Sequence, residues 1–315
     1  MERCLLHLPR KGSRRTHTRR KDQSMRRLLL AAVSLVAVLA PASSATAAPF
    51  HPTGEFAQFN YCPLGRTTLT ACFRSETTSG FTTLGNKPVP IKNPVVLQGG
   101  LEYGDLSETV PLIAAQDGNT LTKAPQPVPG GLLGITAPSW WPSVLRDLFN
   151  ETINNGFTGV TATMELAGPA SSVKINSFAV LIQQGIALSM PVKVKLSNPF
   201  LGSNCYIGSN SNPIKLNLTS GTTSPPPPNQ PITGASGTFQ TNEFGTILTG
   251  TDSKLVDNSF AAPGANGCGG LLFSWAVDPF VNSIVGVPSP AGTNTAVLEN
   301  ARVQLAEPAA VRASE

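Results

Sequence analysis

Val192-Lys193-Val194-Lys195-Leu196 sets two lysines on one side of an extended chain and three aliphatic side chains on the other. Successive side chains of a strand point to opposite faces, so this stretch is predicted to be a half-buried strand of an antiparallel sheet. Ile214-Lys215-Leu216-Asn217-Leu218 repeats the pattern, and Val160-Thr161-Ala162-Thr163-Met164-Glu165-Leu166 alternates in the same way. Working outward, residues 173–182 and 186–196 are two more strand candidates. Between Thr67 and Val96, β-forming residues are interrupted by Gly80, Gly85, Pro88, Pro90 and Pro94. That is the pattern of short strands joined by tight turns. Further strands are expected near 238–240, 246–249, 270–277 and 296–306. The four prolines Pro225–Pro228 are predicted to form a stiff polyproline connector.

Two helices are expected. The first covers residues 140–155. Ser139 can cap it, Pro142 suits its first turn, and Asn155-Gly156 supplies a stop. Trp141, Val144, Leu145, Leu148 and Phe149 form an apolar stripe at helical spacing, read here as a core-facing surface. The second is short, opened by Asp278-Pro279 and ended near Gly286. Many short strands with one or two short helices predict a mainly β fold, an antiparallel β-sandwich or partly closed barrel.

The ends of the chain have a different composition. Residues 1–27 hold ten of the 23 basic residues and two of the 18 acids. The remainder carries 13 basic and 16 acidic residues, a net of −3. With the basic charge concentrated in the leader, nucleic acid is not expected as a partner. Residues 1–24 are either a basic extension or, as preferred here, sequence upstream of the true start at Met25. Residues 25–47 have the layout of a signal peptide: Arg26-Arg27, an apolar run from Leu28 to Ala40, then Ala45 and Ala47 at −3 and −1. Cleavage is expected between Ala47 and Ala48. The apolar run of about 13 residues is shorter than the roughly 20 that cross a bilayer, so no transmembrane anchor is expected in the mature chain. Residues 48–66 are read as an N-terminal arm, extended over 48–61, 67–306 as a β-rich extracellular domain and 307–315 as a C-terminal tail.

Export makes the cysteines informative. Cys62, Cys72, Cys205 and Cys268 remain after cleavage, an even number in an oxidising compartment. Of the three pairings, Cys62–Cys72 with Cys205–Cys268 is preferred. The first closes a small Pro/Gly turn and the second spans the proline connector. CxxC spacing and nearby histidines are lacking, which disfavours a metal site.

The stretch Asn198-Pro199-Phe200-Leu201-Gly202-Ser203-Asn204-Cys205-Tyr206-Ile207-Gly208-Ser209 resembles a family of uncharacterised secreted actinobacterial proteins. Asn212-Pro213-Ile214, Pro225–Pro228 and Gly267-Cys268-Gly269-Gly270 add to the likeness. The resemblance implies export and structural cysteines. It implies no activity, cofactor or catalytic residue.

Chemistry-bearing residues are sparse. His51 is the histidine that the mature chain keeps, and it sits in the arm, a poor scaffold for a triad. Ser171-Ser172-Val173-Lys174 matches SxxK, but on a predicted strand rather than the helical turn that brings Ser and Lys together. No dinucleotide or phosphate-loop fingerprint is present, so no cofactor is expected. Asp147 and Glu151 are assigned to the solvated face of the first helix. Asp252 and Asp257 are assigned to a polar segment around Lys254. Glu102, Asp105 and Glu108 are the carboxylates that a glycosidase could use, although an exposed acidic turn accounts for them more simply. Trp140 is the tryptophan expected at the surface, where it could stack on sugar; Trp141 and Trp275 are expected in the core. The favoured reading is an exported, non-enzymatic protein that associates with the envelope or binds a ligand, with envelope or glycan contact. The alternative is a secreted carboxylate-dependent hydrolase acting on glycans. A pore-like protein could draw on the apolar runs 178–182 and 271–277, but each is strand-length and fits an ordinary core.

Overall fold

The computed structural model describes residues 51–105, 107–154 and 157–315. The signal-like segment, the cleavage site and Asn155-Gly156 lie outside these residues. In chain order the elements are β1 (Ala71–Leu84), β2 (Lys87–Pro90), β3 (Val95–Leu101), β4 (Val110–Pro111), β5 (Ile113–Ala114) and β6 (Pro125–Pro127). Then come α1 (Ser143–Asn154), β7 (Thr161–Leu166), β8 (Lys174–Ile175), α2 (Ser177–Ile182), β9 (Leu188–Ser197), β10 (Tyr206–Ile207) and β11 (Ile214–Leu218). The chain ends with β12 (Thr238–Thr241), β13 (Ile247–Asp257), β14 (Ala265–Asn266), α3 (Gly270–Val285), β15 (Thr295–Ala306) and α4 (Pro308–Ala313).

These strands make two open antiparallel sheets. The first runs β12-β13-β15-β1-β3-β5, with β2 folded back on β1. The second runs β14-β10-β9-β7-β6, with β11 and β8 also pairing β9, and β4 pairing β8. Strand β9 buries every second side chain, Leu188, Met190, Val192, Val194 and Leu196, as its alternation requires. These meet Phe73, Leu84, Leu97 and Leu255 from the other sheet in one apolar core. The architecture is a mainly β sandwich, and neither sheet closes into a barrel.

Four local expectations fail, each for a physical reason. Residues 173–182 are not one strand. After β8, the Asn176 side chain accepts a hydrogen bond from the Ala179 N–H (2.9 Å) and caps α2. Residues 270–277 are helical rather than extended; the run has no alternation, and a short apolar stretch does not distinguish strand from helix. Asp278-Pro279 does not open a helix, because α3 continues through it. Proline at 279 removes an N–H and leaves the Trp275 carbonyl without its intrahelical donor. Pro279 is exposed, so water can reach that part of the helix. Finally, the segment after His51 is no extended arm. Gly54–Phe59 forms a 3-10 helix, and Phe59, Cys62 and Leu64 enter a second apolar cluster with Leu69, Ile247 and Val311. The tail closes this cluster: Arg312 donates from Nη2 to the Leu64 (2.7 Å) and Arg66 (3.1 Å) carbonyls.

Asp257, read from the sequence as part of a polar segment around Lys254, is only 2 % exposed. It ends β13 in one sheet and accepts hydrogen bonds from the Asn217 N–H (2.7 Å) of β11 in the other and from the Ser259 N–H (2.9 Å). Burial pushes its carboxyl pKa up, and the two N–H donors only partly offset this. The unfolded chain therefore ionises first as pH rises, so this group's stabilising contribution is present below the unfolded value and lost upward through the folded one. The melting-temperature margin of wild type over Asp257→Asn is expected to shrink as pH rises from about 4 toward 7. Melts of both proteins across that range check it, and a margin that grows would overturn the assignment.

Candidate apolar docking surface

Several connections meet at one end of the second sheet, and the strand register shows why. Thr161, which starts β7, pairs with Ser197, which ends β9. Tyr206 of β10 pairs with Lys195 and also with Asn266, the last residue of β14. The segment carrying α1, the Phe200 loop and α3 therefore all emerge from the same edge of the sandwich.

Of the two helices there, α3 is turned opposite to an ordinary amphipathic helix, and α1 exposes apolar side chains beside its charged Asp147 and Glu151. In α1, polar Asn150 turns toward the preceding loop, its Oδ1 accepting from the Ala137 N–H (2.9 Å). Val144, Leu145 and Leu148 of the predicted core stripe are instead exposed. Trp141 and Phe149 are half-buried, their rings edge to face at 5.5 Å. Trp140 is 80 % exposed and packs edge-on against Trp141 at 6.1 Å. In α3, polar Asp278 and Asn282 face inward. Asp278 accepts from the Cys268 (2.7 Å) and Gly267 (3.2 Å) N–H groups, and Asn282 Oδ1 accepts from the Ala265 N–H (2.7 Å). Val277, Val281 and Val285 seat this helix on the main core. Its outer side carries Leu271 at full exposure, Leu272, Phe273, Phe280 and Trp275 at 79 %. Trp275 is thus a surface residue, not a core one. Phe157 and Phe200, both exposed, pack together at 6.4 Å beside the root of α3.

The root is fixed covalently. Cys205 is bonded to Cys268, and Cys62 to Cys72. The Gly269 N–H donates to the Leu201 carbonyl (2.7 Å), joining the Phe200 loop to α3. Gly269 has φ +79°, and a Cβ there would lie 2.6 Å from Val277 Cγ2. Glycine is therefore needed for Cys268 to sit against the helix.

Cavity sizes point to this surface rather than to the interior. Two apolar hollows lie between the sheets, about 70 Å³ beside Phe73 and Leu188 and about 80 Å³ beside Met190 and Leu298. Each is about half the roughly 150 Å³ that holds benzene. The hollow framed by Trp140, Trp141, Leu145 and Leu148 measures about 570 Å³ and is open, within the roughly 300–1,000 Å³ of ligand sites.

The predicted chemical residues do not assemble there. Glu102 is half-buried and takes hydrogen bonds from Thr68 Oγ1 and Arg66 Nε (3.1 Å). Thr68 first and Arg66 second hold its pKa below the usual range. Asp105 accepts from the Ser107 N–H (2.8 Å), which lowers its pKa, and Glu108 accepts from the Gly104 N–H (3.2 Å). Asp105 and Glu108 serve their own turn, Glu102 ties that turn to the segment at Arg66 and Thr68, and none of the three lines the hollows above. Ser171 lies in a 3-10 turn and Lys174 in β8, not on one helical turn. Asp147 and Glu151 are exposed. His51 donates its backbone N–H to Glu315 (3.3 Å) at the surface. Among the described residues no three potential ligands gather for a metal, and no helix is long and apolar enough to cross a membrane. No protein-family model, curated protein or solved structure matches the chain.

Proposed function

We propose that this is an exported, non-enzymatic protein that seats itself on a lipid surface of the cell envelope through α1, α3, Phe157 and Phe200. One observation carries the reading: α3 directs Asp278 and Asn282 at its own scaffold and its large apolar residues outward, and α1 exposes Val144, Leu145 and Leu148 at the same end of the sheet. Ordinary folding drives the reverse, because apolar burial supplies roughly 25 cal/mol per Å². A contiguous exposed apolar surface marks an interaction site. The chemistry favours lipid. Exposed tryptophan suits a membrane interface, where an apolar body and a polar N–H are both accommodated. In α3 the sole ionisable side chain is Asp278, which is turned inward, so α3 brings no exposed charge to the surface; Asp147 and Glu151 of α1 remain in water. The signal-like leader and the two disulfides support an extracellular setting.

All three tryptophans of the chain belong to this surface, so intrinsic fluorescence reports on it directly. Phosphatidylcholine vesicles are expected to pull the protein down and shift its emission to the blue. The affinity should change little with salt, because screening acts on charges and not on apolar burial. A protein that neither sediments with vesicles nor shifts its emission overturns the proposal. Concentration-dependent dimerisation that gives the same blue shift without vesicles would assign the surface to a second copy instead.

A further inference from the structure

The outer face of the second sheet shows a different chemistry. Its strands contain four lysines, Lys174, Lys193, Lys195 and Lys215, and one carboxylate, Glu165. That local excess lies in a chain whose net charge beyond residue 27 is −3. The register puts all four lysines on one face. Lys193 and Lys195 occupy the outward positions of β9, which alternate with its buried ones. Lys215 pairs with Pro191 and Lys174 with Ser189, both outward positions of the same strand. Directly paired residues share a face, so the lysines descend β9 at the levels of residues 195, 193, 191 and 189. Successive levels are about 6.6 Å apart, and the series spans about 20 Å.

Local partners leave most of this charge available. Glu165 lies 3.9 Å from Lys193, an ion pair with both side chains largely covered. Lys193 and Lys195 sit over the Tyr206 ring, 4.7 and 6.0 Å from its centre. Lys174 and Lys215 are exposed. We propose that this lysine series binds a linear, phosphate-bearing polymer laid along β9 in an extended form. An extended chain fits because the charges are spread over about 20 Å of strand length, two on β9 and one on each flanking strand about 4.8 Å to either side, whereas a compact anion would need them converged. Nucleic acid fits less well, because single strands require aromatic platforms for base stacking. Tyr206 is the aromatic residue on these strands, and lysine amines cover it. This site is independent of the apolar surface, and its test needs no lipid.

Long-chain inorganic polyphosphate is the probe. Each phosphate contact on a flexible strand contributes about −0.7 to the slope of log K against log salt. Three to four contacts predict binding about 30-fold weaker at 200 mM than at 50 mM salt. The variant K195Q/K215Q should bind at least about fivefold more weakly, with the slope reduced by about 1.4. K195R/K215R should bind like wild type, which excludes a folding artefact, and K254Q on the other sheet should leave binding unchanged. Absence of polyphosphate binding at 50 mM salt, or an unaltered slope in K195Q/K215Q, overturns the proposal. So does tighter binding of oligothymidylate or of phosphatidylglycerol vesicles, each of which would name another class of partner.

Discussion

The double variant Leu145→Asp/Leu272→Asp is expected to lose binding to phosphatidylcholine vesicles by at least about 100-fold while melting within about 2 °C of wild type. The two halves of this result come from the same geometry. Leu145 and Leu272 stand on different helices and both are exposed in the free protein. Replacing them removes little buried area, and surface changes usually stay within about 0.5 kcal/mol. On a lipid surface the same side chains would each contribute about 1.5–3 kcal/mol of apolar burial. A carboxylate there also carries a desolvation cost. Were α1 packed through its stripe in the usual sense, the expectation would invert: a truncated core leucine costs about 2–5 kcal/mol. Thermal melts and vesicle sedimentation on the same preparation separate the cases. Loss of stability would return the stripe to the core, and unchanged sedimentation would remove the apolar surface from the binding reaction.

The sheets were legible in the sequence because alternation has a direct physical meaning. Where Val192–Leu196 and Ile214–Leu218 alternate, one face must be buried, and β9 and β11 bury it. The long strands β13 and β15 extend the segments expected near 246–249 and 296–306. The site was less legible. An apolar stripe such as Trp141, Val144, Leu145, Leu148 shows that a helix has two sides but not which one meets the protein. The missing information lies in polar side chains whose partners sit outside their own helix: Asn150 with Ala137, Asp278 with Cys268, Asn282 with Ala265. Asn294 is a further case. Fully buried, it accepts from the Gly85 N–H and Ser289 Oγ and donates to the Phe260 carbonyl, joining three separated segments. No periodicity marks such residues. The clue available for α3 was the length and uniformity of its apolar run. It was consistent with a buried strand and equally with an unburied helix.

The second large effect concerns the bond beneath α3. Replacing Cys205 and Cys268 together by Ala is expected to cost about 4 kcal/mol. The bond closes a 63-residue separation, and the chain-entropy relation rises with loop length. For a domain of this size that is a fall of roughly 8–16 °C in melting temperature. The same change at Cys62 and Cys72, separated by 10 residues, should cost just under about 3 kcal/mol. The local consequences should differ more sharply than the totals. Cys268 carries the N–H that Asp278 accepts, and its neighbour Gly269 bonds to Leu201. Without the covalent tie, α3 keeps these hydrogen bonds, those of Asn282 with Ala265 and of Val285 with Asn86, and the packing of Val277, Val281 and Val285 along its length. Its outward residues gain nothing from the folded state in water, so the helix has little else to hold it. Hydrogen exchange at α3 is therefore expected to accelerate well beyond that at β13 or β15 in the Cys205/Cys268 variant. Vesicle binding should weaken with it, since Leu271, Leu272 and Trp275 would no longer be presented together. The Cys62/Cys72 variant loosens the cluster around Phe59 and Val311, remote from that surface in the strand order, and should bind vesicles as wild type does. Equal loss of vesicle binding in the two variants, or an α3 that stays protected without its disulfide, would show that the bond stabilises the domain as a whole and does not serve to hold the apolar surface in place.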